Sequence, residues 1–383
     1  MRILIAGNTY YPGLNGQAIF MVNLAEGLAG RGHEVAVMFP EPQSFSAVRN
    51  GVMLEAVGSI SLAAIHEESY WAVFFSRRVR QVFDEFRPEV VHIQDHYPVS
   101  VGVVHEARRR GLRVIGTNHF SPACLEPYIP GSRWMQPMLD WLLEEWMLVL
   151  YRELDLVAAP SEAAIGALRG KGLRAPPHAV SNGIDLGRFQ PDSSVDRKGL
   201  REQLGLDPGR ALFLYIGRLD KEKGVDILVE AIARLGRDDV QLAIVGHGAQ
   251  MQNLRNLTHE LNVGDRVRFL GHFPNAELPH VLNCADVFTM ASRSELLGIA
   301  CLEAMACGLP VLLSDVFQPH NLCTAGLNGY FFRTGSSEDA ARHMGRLVEE
   351  RERWPAMGVA SMENVKSHSL EHTLDCYTAF YQQ

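Results

Sequence analysis

The chain has 383 residues, 47% of them hydrophobic and 21% charged, which suits two α/β domains with cores of their own. Lys plus Arg total 36 against 44 Asp plus Glu, a formal net charge of −8, and this argues against a nucleic-acid partner, which would want a basic face. The opening MRILIAGNTYYPG does not read as a secretory signal, no apolar run reaches the ~18 residues of a membrane span, and the six cysteines form no Cys-x-x-Cys pair, so a cytoplasmic protein is expected.

Short β-branched runs alternate with helical stretches, the pattern of parallel sheets covered by helices. In the first half, strands are expected at Arg2–Ala6, Glu34–Phe39, Val52–Val57, Glu89–Gln94, Arg113–Thr117 and Leu154–Ala159, with helices between them such as Gly16–Arg31 and Tyr70–Phe86. The second half restarts the rhythm with strands at Ala211–Ile216, Val240–Val245, Arg266–Leu270, Val287–Met290 and Val311–Ser314. Its expected helices are Gly224–Leu235, Gln250–Asn262, Glu277–Asn283 and Ile299–Cys307. Lys171–Asp207, punctuated by Pro176-Pro177 and Asn182-Gly183, reads as the boundary segment. The expected division is 1–180, 181–365 and a C-terminal helix 366–383 packing back on the first domain; Leu370, Leu374, Tyr377, Phe380 and Tyr381 have helical spacing.

Open α/β sheets bind ligands outside the carboxyl ends of their strands, so the chemistry is expected in loops directly after strands. Gly13-Leu14-Asn15-Gly16 joins the first strand to the first helix, where backbone amides and the helix amino end favour an anion. Neither it nor Gly246-His247-Gly248 is Gly-x-Gly-x-x-Gly, so the dinucleotide fingerprint is absent. The loop from Gly217 to Gly224 offers Arg218 as a planar fork and Lys223 as a point charge for phosphate, against the plain alternative of a solvated charged loop.

Ser294–Pro310 is the sharpest stretch: Glu295 lies in a loop, Gly298 opens a helix, and Glu303 falls between one and two turns inside it. At a rise of about 1.5 Å per residue, the two carboxylates can grip separated parts of one elongated ligand while the Gly298 and Ile299 amides face its phosphates. The plain alternatives are a buried structural hydrogen bond for Glu303 and a helix-dipole charge for Glu295.

His92-Ile93-Gln94-Asp95-His96 holds three potential metal ligands, but His92 and His96 share a face only if the strand runs on through Asp95, where it is expected to end. No metal site is expected. Asp95 and His96 are placed near an acceptor instead.

Taken in order, these motifs carry a resemblance. They are the glycine loop at Gly16, Thr117-Asn118-His119-Phe120, Ser181-Asn182-Gly183-Ile184-Asp185, Gly217-Arg218-Leu219 with Lys223-Gly224, Val245-Gly246-His247-Gly248, Phe269-Leu270-Gly271 and the Glu295/Glu303 pair. Over nearly the whole chain the sequence resembles the retaining glycosyltransferases of family four. The resemblance implies the α/β GT-B fold, two Rossmann-like domains whose parallel sheets face each other across a deep cleft. It also implies transfer of a hexose from a nucleotide-sugar donor to a hydroxyl acceptor.

The resemblance further implies roles. Gly16 approaches the donor diphosphate, which Arg218 and Lys223 neutralise. Glu303 holds the ribose, Glu295 binds hydroxyls of the transferred sugar, and amides of Leu297, Gly298 and Ile299 contact sugar and phosphate. Backbone near Leu270 and Gly271 pairs with the base, and His119 sits beside the reacting sugar. Asp95, His96, Asn118 and Phe120 fall on the acceptor side. No metal and no cofactor are implied, in keeping with the lack of any Asp-x-Asp. Where the family often has Gly-Phe-Gly after the first Glu, this chain has Leu296-Leu297-Gly298, so its sugar-contacting positions differ.

UDP-glucose-like and GDP-mannose-like donors both stay open. Ser69–Arg80 mixes aromatic and basic residues, as do elements that meet anionic lipid headgroups, while a core helix with a charged end fits the same letters. Trp134–Tyr151 is apolar, but its Asp140, Glu144 and Glu145 oppose an anionic membrane. Asn118–Pro122, Ser294-Glu295-Leu296 and Pro319-His320 most resemble the diacylglycerol glucosyltransferase branch. A lipid acceptor, with peripheral contact at the inner membrane face, is therefore preferred to a soluble one. A non-catalytic sugar-nucleotide binder would be expected to have lost Glu295, Glu303, Arg218 or Lys223; all four are present.

Overall fold

A computed structural model describes residues 1–10, 15–61, 70–72, 76–122 and 136–383. Gly13, Leu14, Ser69, Phe74, Phe75, Cys124 and Trp134 lie outside them. The chain divides into two compact units, Met1–Gly183 with Leu370–Gln383, and Ile184–Ser369. The change from one to the other falls inside the boundary segment expected from its breakers.

In the first unit, β1 (Arg2–Ala6), α1 (Gly16–Gly30) and β2 (Glu34–Glu41) form a parallel crossover, followed by β3 (Ser46–Arg49) and β4 (Val52–Gly58). A small antiparallel pair, β5 (Ile60–Ser61) and β6 (Tyr70–Trp71), leads to α2 (Ser76–Phe86). Then come β7 (Val90–Ile93), α3 (Pro98–Arg109), β8 (Arg113–Thr117), α4 (Gln136–Tyr151), β9 (Leu156–Ala159), α5 (Glu162–Gly166) and β10 (His178–Ala179). The sheet order is β10-β9-β8-β7-β1-β2-β4-β3. Its central strands β1 and β7 are buried along nearly their whole length, as expected of parallel strands covered by helices on both faces. The helix expected over Tyr70–Phe86 begins only at Ser76, since the Tyr70–Trp71 backbone is engaged with Ile60–Ser61.

The second unit holds α6 (Arg197–Gln203), β11 (Ala211–Ile216), α7 (Val225–Leu235), β12 (Val240–Val245), α8 (Met251–Glu260), β13 (Val267–Gly271) and α9 (Leu278–Asn283). It continues through β14 (Val287–Met290), α10 (Ile299–Ala306), β15 (Val311–Ser314), β16 (Gly329–Phe332), α11 (Ser337–Glu349) and α12 (Trp354–Val365). Its strands are all parallel, in the order β13-β12-β11-β14-β15-β16.

The chain then returns to the first unit as α13 (Leu370–Gln382). Leu374, Tyr377 and Tyr381 are buried in the same core as Phe20, Leu24 and Leu28 of α1. Burial of side chains this large stabilises by about 1.5–3 kcal/mol each. Outside that seam Arg31 bonds Asp375 at 2.8 Å and also pairs with Glu371. Among the described residues no helix is long and apolar enough to cross a membrane.

Candidate active site

Each sheet reverses its winding once. β1 lies between β2 and β7, and β11 lies between β12 and β14. At such switch points adjacent loops diverge and leave a crevice for ligand. Most of the residues singled out from sequence lie just beyond these strands or their parallel neighbours.

In the second unit, Arg218 follows β11. Its guanidinium bonds Glu222 Oε1 at 2.7 Å and also pairs with Asp220, while its carbonyl accepts the buried Tyr215 hydroxyl at 2.7 Å. Lys223 Nζ donates to Glu295 Oε2 at 2.8 Å, and Ser292 Oγ reaches the same oxygen at 3.4 Å. Both partners are largely covered, with side-chain exposures of 16% and 14%. Beside Tyr215, burial and the Glu295 carboxylate together push the phenol pKa well above 10. Arg218, Lys223 and Glu295 thus occupy one cluster, in which two cations face the three carboxylates of Asp220, Glu222 and Glu295.

Two glycines make this geometry possible. Gly224 has φ +61°, and a Cβ there would stand 2.3 Å from the Ala291 carbonyl oxygen, so the Lys223 loop lies directly against the end of β14. Gly298 has φ +85° and caps α10 without offering a side-chain acceptor to the amides of the helix's first turn; its missing Cβ would meet the Phe317 ring at 2.8 Å. That amino end is a ready anion site.

Glu303 lies deeper in α10, almost fully buried among Cys301, Leu302, Ala304 and Met305. Burial raises its carboxyl pKa to about 7, and Arg188 opposes the rise. Leu297 is buried at the helix start, whereas Leu270 and Gly271 end β13, with Gly271 at φ +76° and its carbonyl bonded to the Gly246 amide at 2.8 Å.

In the first unit, Asn15 caps α1 by accepting the Ala18 amide at 2.9 Å, which leaves Gly16 exposed at the helix start. Asp95 follows β7 and accepts from Gln17 Nε2 at 2.8 Å, Ser100 Oγ at 2.7 Å, the Tyr97 amide at 3.1 Å and the Asn8 amide. Burial still leaves its pKa raised. Asp95 therefore ties the loops after β1 and β7 to α1 and α3, with its oxygens already engaged. Its neighbour His96 is boxed by the rings of Tyr97, Phe120 and Trp146 at 5.0, 5.0 and 4.3 Å. Neither ring nitrogen has a partner among the described residues, and burial lowers its pKa to about 4.

His119 contacts Gln94 Oε1 through Nε2 at 3.1 Å and packs on Phe20 at 4.9 Å. Burial lowers its pKa to about 3, which makes it a neutral imidazole. Asn118 turns the chain here, its amide bonding the Phe120 carbonyl and its carbonyl accepting the Phe120 amide, both at 3.0 Å. His92 is spoken for by hydroxyls, with Tyr381 at Nδ1 and Thr117 at Nε2, both at 2.7 Å. Of the acids expected to repel a membrane, Glu144 pairs with Lys171 at 2.9 Å and Glu145 with Arg152 at 2.8 Å.

Several partners escaped the sequence reading. Asp220 and Glu222 stand two and four residues past Arg218, a spacing that could have suggested the clamp. Gln17 meets Asp95 across 78 positions, and Arg188 faces Glu303 from before the second sheet; no local pattern signals either.

Residues 14–188 match the family described as Glycosyltransferase Family 4, and residues 196–361 match Glycosyl transferases group 1. The chain belongs to the family-four glycosyltransferases. This glycosyltransferase is 29% identical over 364 residues to the GDP-mannose-dependent alpha-mannosyltransferase of Mycobacterium tuberculosis, across 92% of this chain and 90% of that one. It is 25% identical to the alpha-monoglucosyldiacylglycerol synthase of Streptococcus pneumoniae, across 87% and 75%. Its fold matches sucrose-phosphate synthase from Thermosynechococcus elongatus at a TM-score of 0.81 and 21% identity, covering 100% and 99% of the two chains. Anabaena HepE, solved with UDP and glucose, matches at 0.79 and 18%, with full coverage of both. The glycosyltransferase thus has the GT-B fold and uses a nucleotide-sugar donor.

Proposed function

We propose that this glycosyltransferase retains anomeric configuration, needs no metal, and moves a hexose from a UDP-glucose-like or GDP-mannose-like donor to a hydroxyl acceptor. The observation that carries the reading is the Lys223–Glu295 pair beside the glycine-opened amino end of α10. Lys223, Arg218 and the Gly298 and Ile299 amides neutralise the diphosphate, with Gly16 approaching it from the first unit's leading helix. The amides matter because Asp220, Glu222 and Glu295 already offset the two cations; helix-end dipoles add attraction without a counter-ion. Glu303 takes the ribose hydroxyls, backbone at Leu270 and Gly271 takes the base, and Glu295 with Leu297 and His119 takes the transferred sugar.

In the chemical step, the acceptor oxygen attacks the anomeric carbon on the face from which the diphosphate departs. The carbon–oxygen bond to phosphate breaks, its electron pair stays on the phosphate, and the acceptor's proton passes to that phosphate oxygen. No side-chain nucleophile is needed. Positive charge fixed in place before reaction stabilises the developing diphosphate charge.

For the acceptor, one observation favours a lipid. Met138, Trp141, Leu142, Trp146 and Val149 of α4 are exposed at helical spacing, and two of the acids on that helix are held by Lys171 and Arg152. An apolar, Trp-bearing stripe suits the membrane interface. Asp95, His96, Asn118 and Phe120 then lie on the acceptor side. A soluble acceptor is the second reading, and the mycobacterial mannosyltransferase relative keeps it in view. The test is a panel of UDP- and GDP-sugars scored by nucleoside diphosphate release, with and without diacylglycerol vesicles. Release only with vesicles supports the lipid reading; equal release with soluble hydroxyl acceptors overturns it. Product of inverted configuration overturns retention.

A further inference from the structure

His119 stands on a buried polar ladder whose parts come from four places in the sequence. Along β7 and just beyond it, His92 and Gln94 are two residues apart; along β8 and just beyond it, so are Thr117 and His119. Side chains two apart on extended backbone share a face. The lower rung joins His92 Nε2 to Thr117 Oγ1 at 2.7 Å, and the upper rung joins Gln94 Oε1 to His119 Nε2 at 3.1 Å. The lower rung is closed at both ends by α13, with the Tyr381 hydroxyl on His92 Nδ1 at 2.7 Å and the Tyr377 hydroxyl on Thr117 Oγ1 at 2.8 Å. Phe20 of α1 lies between the Tyr377 ring, at 5.9 Å, and the His119 ring, at 4.9 Å.

We propose that Gln94 is the positioning residue for His119, holding its proton on Nε2 so that Nδ1 is the lone-pair acceptor available for a sugar hydroxyl. The inference rests on the reading that His119 serves the transferred sugar. Its chemistry is simple. A neutral imidazole has one donor and one acceptor nitrogen, and whatever one nitrogen bonds to decides the role of the other. An amide oxygen can only accept, so Gln94 Oε1 requires a proton on Nε2. The ring stays neutral because burial disfavours the imidazolium. Gln94 itself is wholly buried, and its Nε2 has no protein partner among the described residues. The His119 contact is thus the one side-chain bond that orients the amide, and the reversed amide would dictate the opposite tautomer. The tyrosine-capped rung beneath keeps the two strand ends in register.

Two measurements test this. In the wild-type protein, imidazole nitrogen shifts of His119, assigned by comparison with His119→Asn, are expected to report an Nε2-protonated neutral ring; an Nδ1-protonated ring overturns the proposal. In kinetics, Gln94→Leu is expected to lower kcat by about 10–100-fold, the usual reach of an outer partner that orients an active group, with donor KM changed less than threefold. Added to His119→Ala, it should cost little more. Full kcat in Gln94→Leu, or losses that multiply in the double variant, overturn the inference. If His119→Ala turns over like the wild type, the reading of His119 falls together with it. If only Gln94→Leu is normal, the positioning role alone falls.

Discussion

Lys223 Nζ bonds Glu295 Oε2 at 2.8 Å, although the two residues stand 72 positions apart. The contact exists because the loop after β11 and the loop after β14 leave adjacent strands of one sheet. Each side chain offsets the other's charge until a ligand offers more. Lys223→Ala and Glu295→Gln are each expected to cut transfer by at least 10²-fold, the scale of losing one fixed electrostatic contact at a transition state. Lys223→Ala should also destabilise by about 1–3 kcal/mol, since it leaves Glu295 without that partner. The Lys223→Met/Glu295→Gln double variant should regain most of that stability and none of the activity, as read by urea midpoints and diphosphate release.

The backbone of the same loop is a separate target. Gly224→Ala places a methyl group against the Ala291 carbonyl at a left-handed φ of +61°. A loss of about 2–3 kcal/mol is expected, with weakened donor binding because Lys223 is displaced. A urea midpoint equal to that of the wild type would contradict the account.

Glu303 supplies the pH dependence. Its folded pKa of about 7 lies above its ordinary 4.5, so between those values the folded chain holds more protons than the unfolded one. Stability from this group is therefore full below about pH 4.5, falls as pH rises towards 7, and then levels off. Glu303→Gln should flatten that decline in thermal melts. If the ionised carboxylate takes the ribose, affinity for nucleoside diphosphate should rise through pH 7 in the wild type and not in Glu303→Gln, by titration calorimetry from pH 6 to 8.

Excess EDTA is expected to leave the transfer rate unchanged, since Arg218, Lys223 and the α10 amides supply the positive charge. Loss of activity in EDTA with recovery on adding a divalent ion would count against the charge clamp.

On α4, Trp141→Ser with Leu142→Ser should abolish co-sedimentation with diacylglycerol vesicles while leaving diphosphate release with a soluble acceptor within twofold. Unchanged co-sedimentation would remove the membrane reading.

Much of the frame was legible in the letters. Parallel strands buried on both faces are written as continuous apolar runs, so β1, β2, β4, β11, β12, β14 and β15 were recoverable within a residue or two. β16 was not, because Gly329-Tyr330-Phe331-Phe332 is too short to outweigh its opening glycine. In the site, Glu295, Gly298 and Glu303 were visible because one helix start carries all three. The Lys223–Glu295 bond and the Asn8 and Gln17 donors on Asp95 are tertiary, joining segments that only the sheet order brings together. The acids of α4 show the limit best: read as letters they repel a membrane, whereas in the fold Glu144 and Glu145 are paired with Lys171 and Arg152, both from beyond the helix.

Because Leu370–Gln383 rejoins the first unit, the second is an insertion within it, and both chain ends belong to the same body. Cutting the chain near Leu370 would therefore leave Ile184–Ser369 whole and injure the other unit, stripping Tyr377 and Tyr381 from beneath His92 and Thr117. A tag or fusion at either terminus would burden that same unit, while residues 184–369 form an uninterrupted segment that could be produced separately. The first unit can be isolated intact only if its two pieces are spliced.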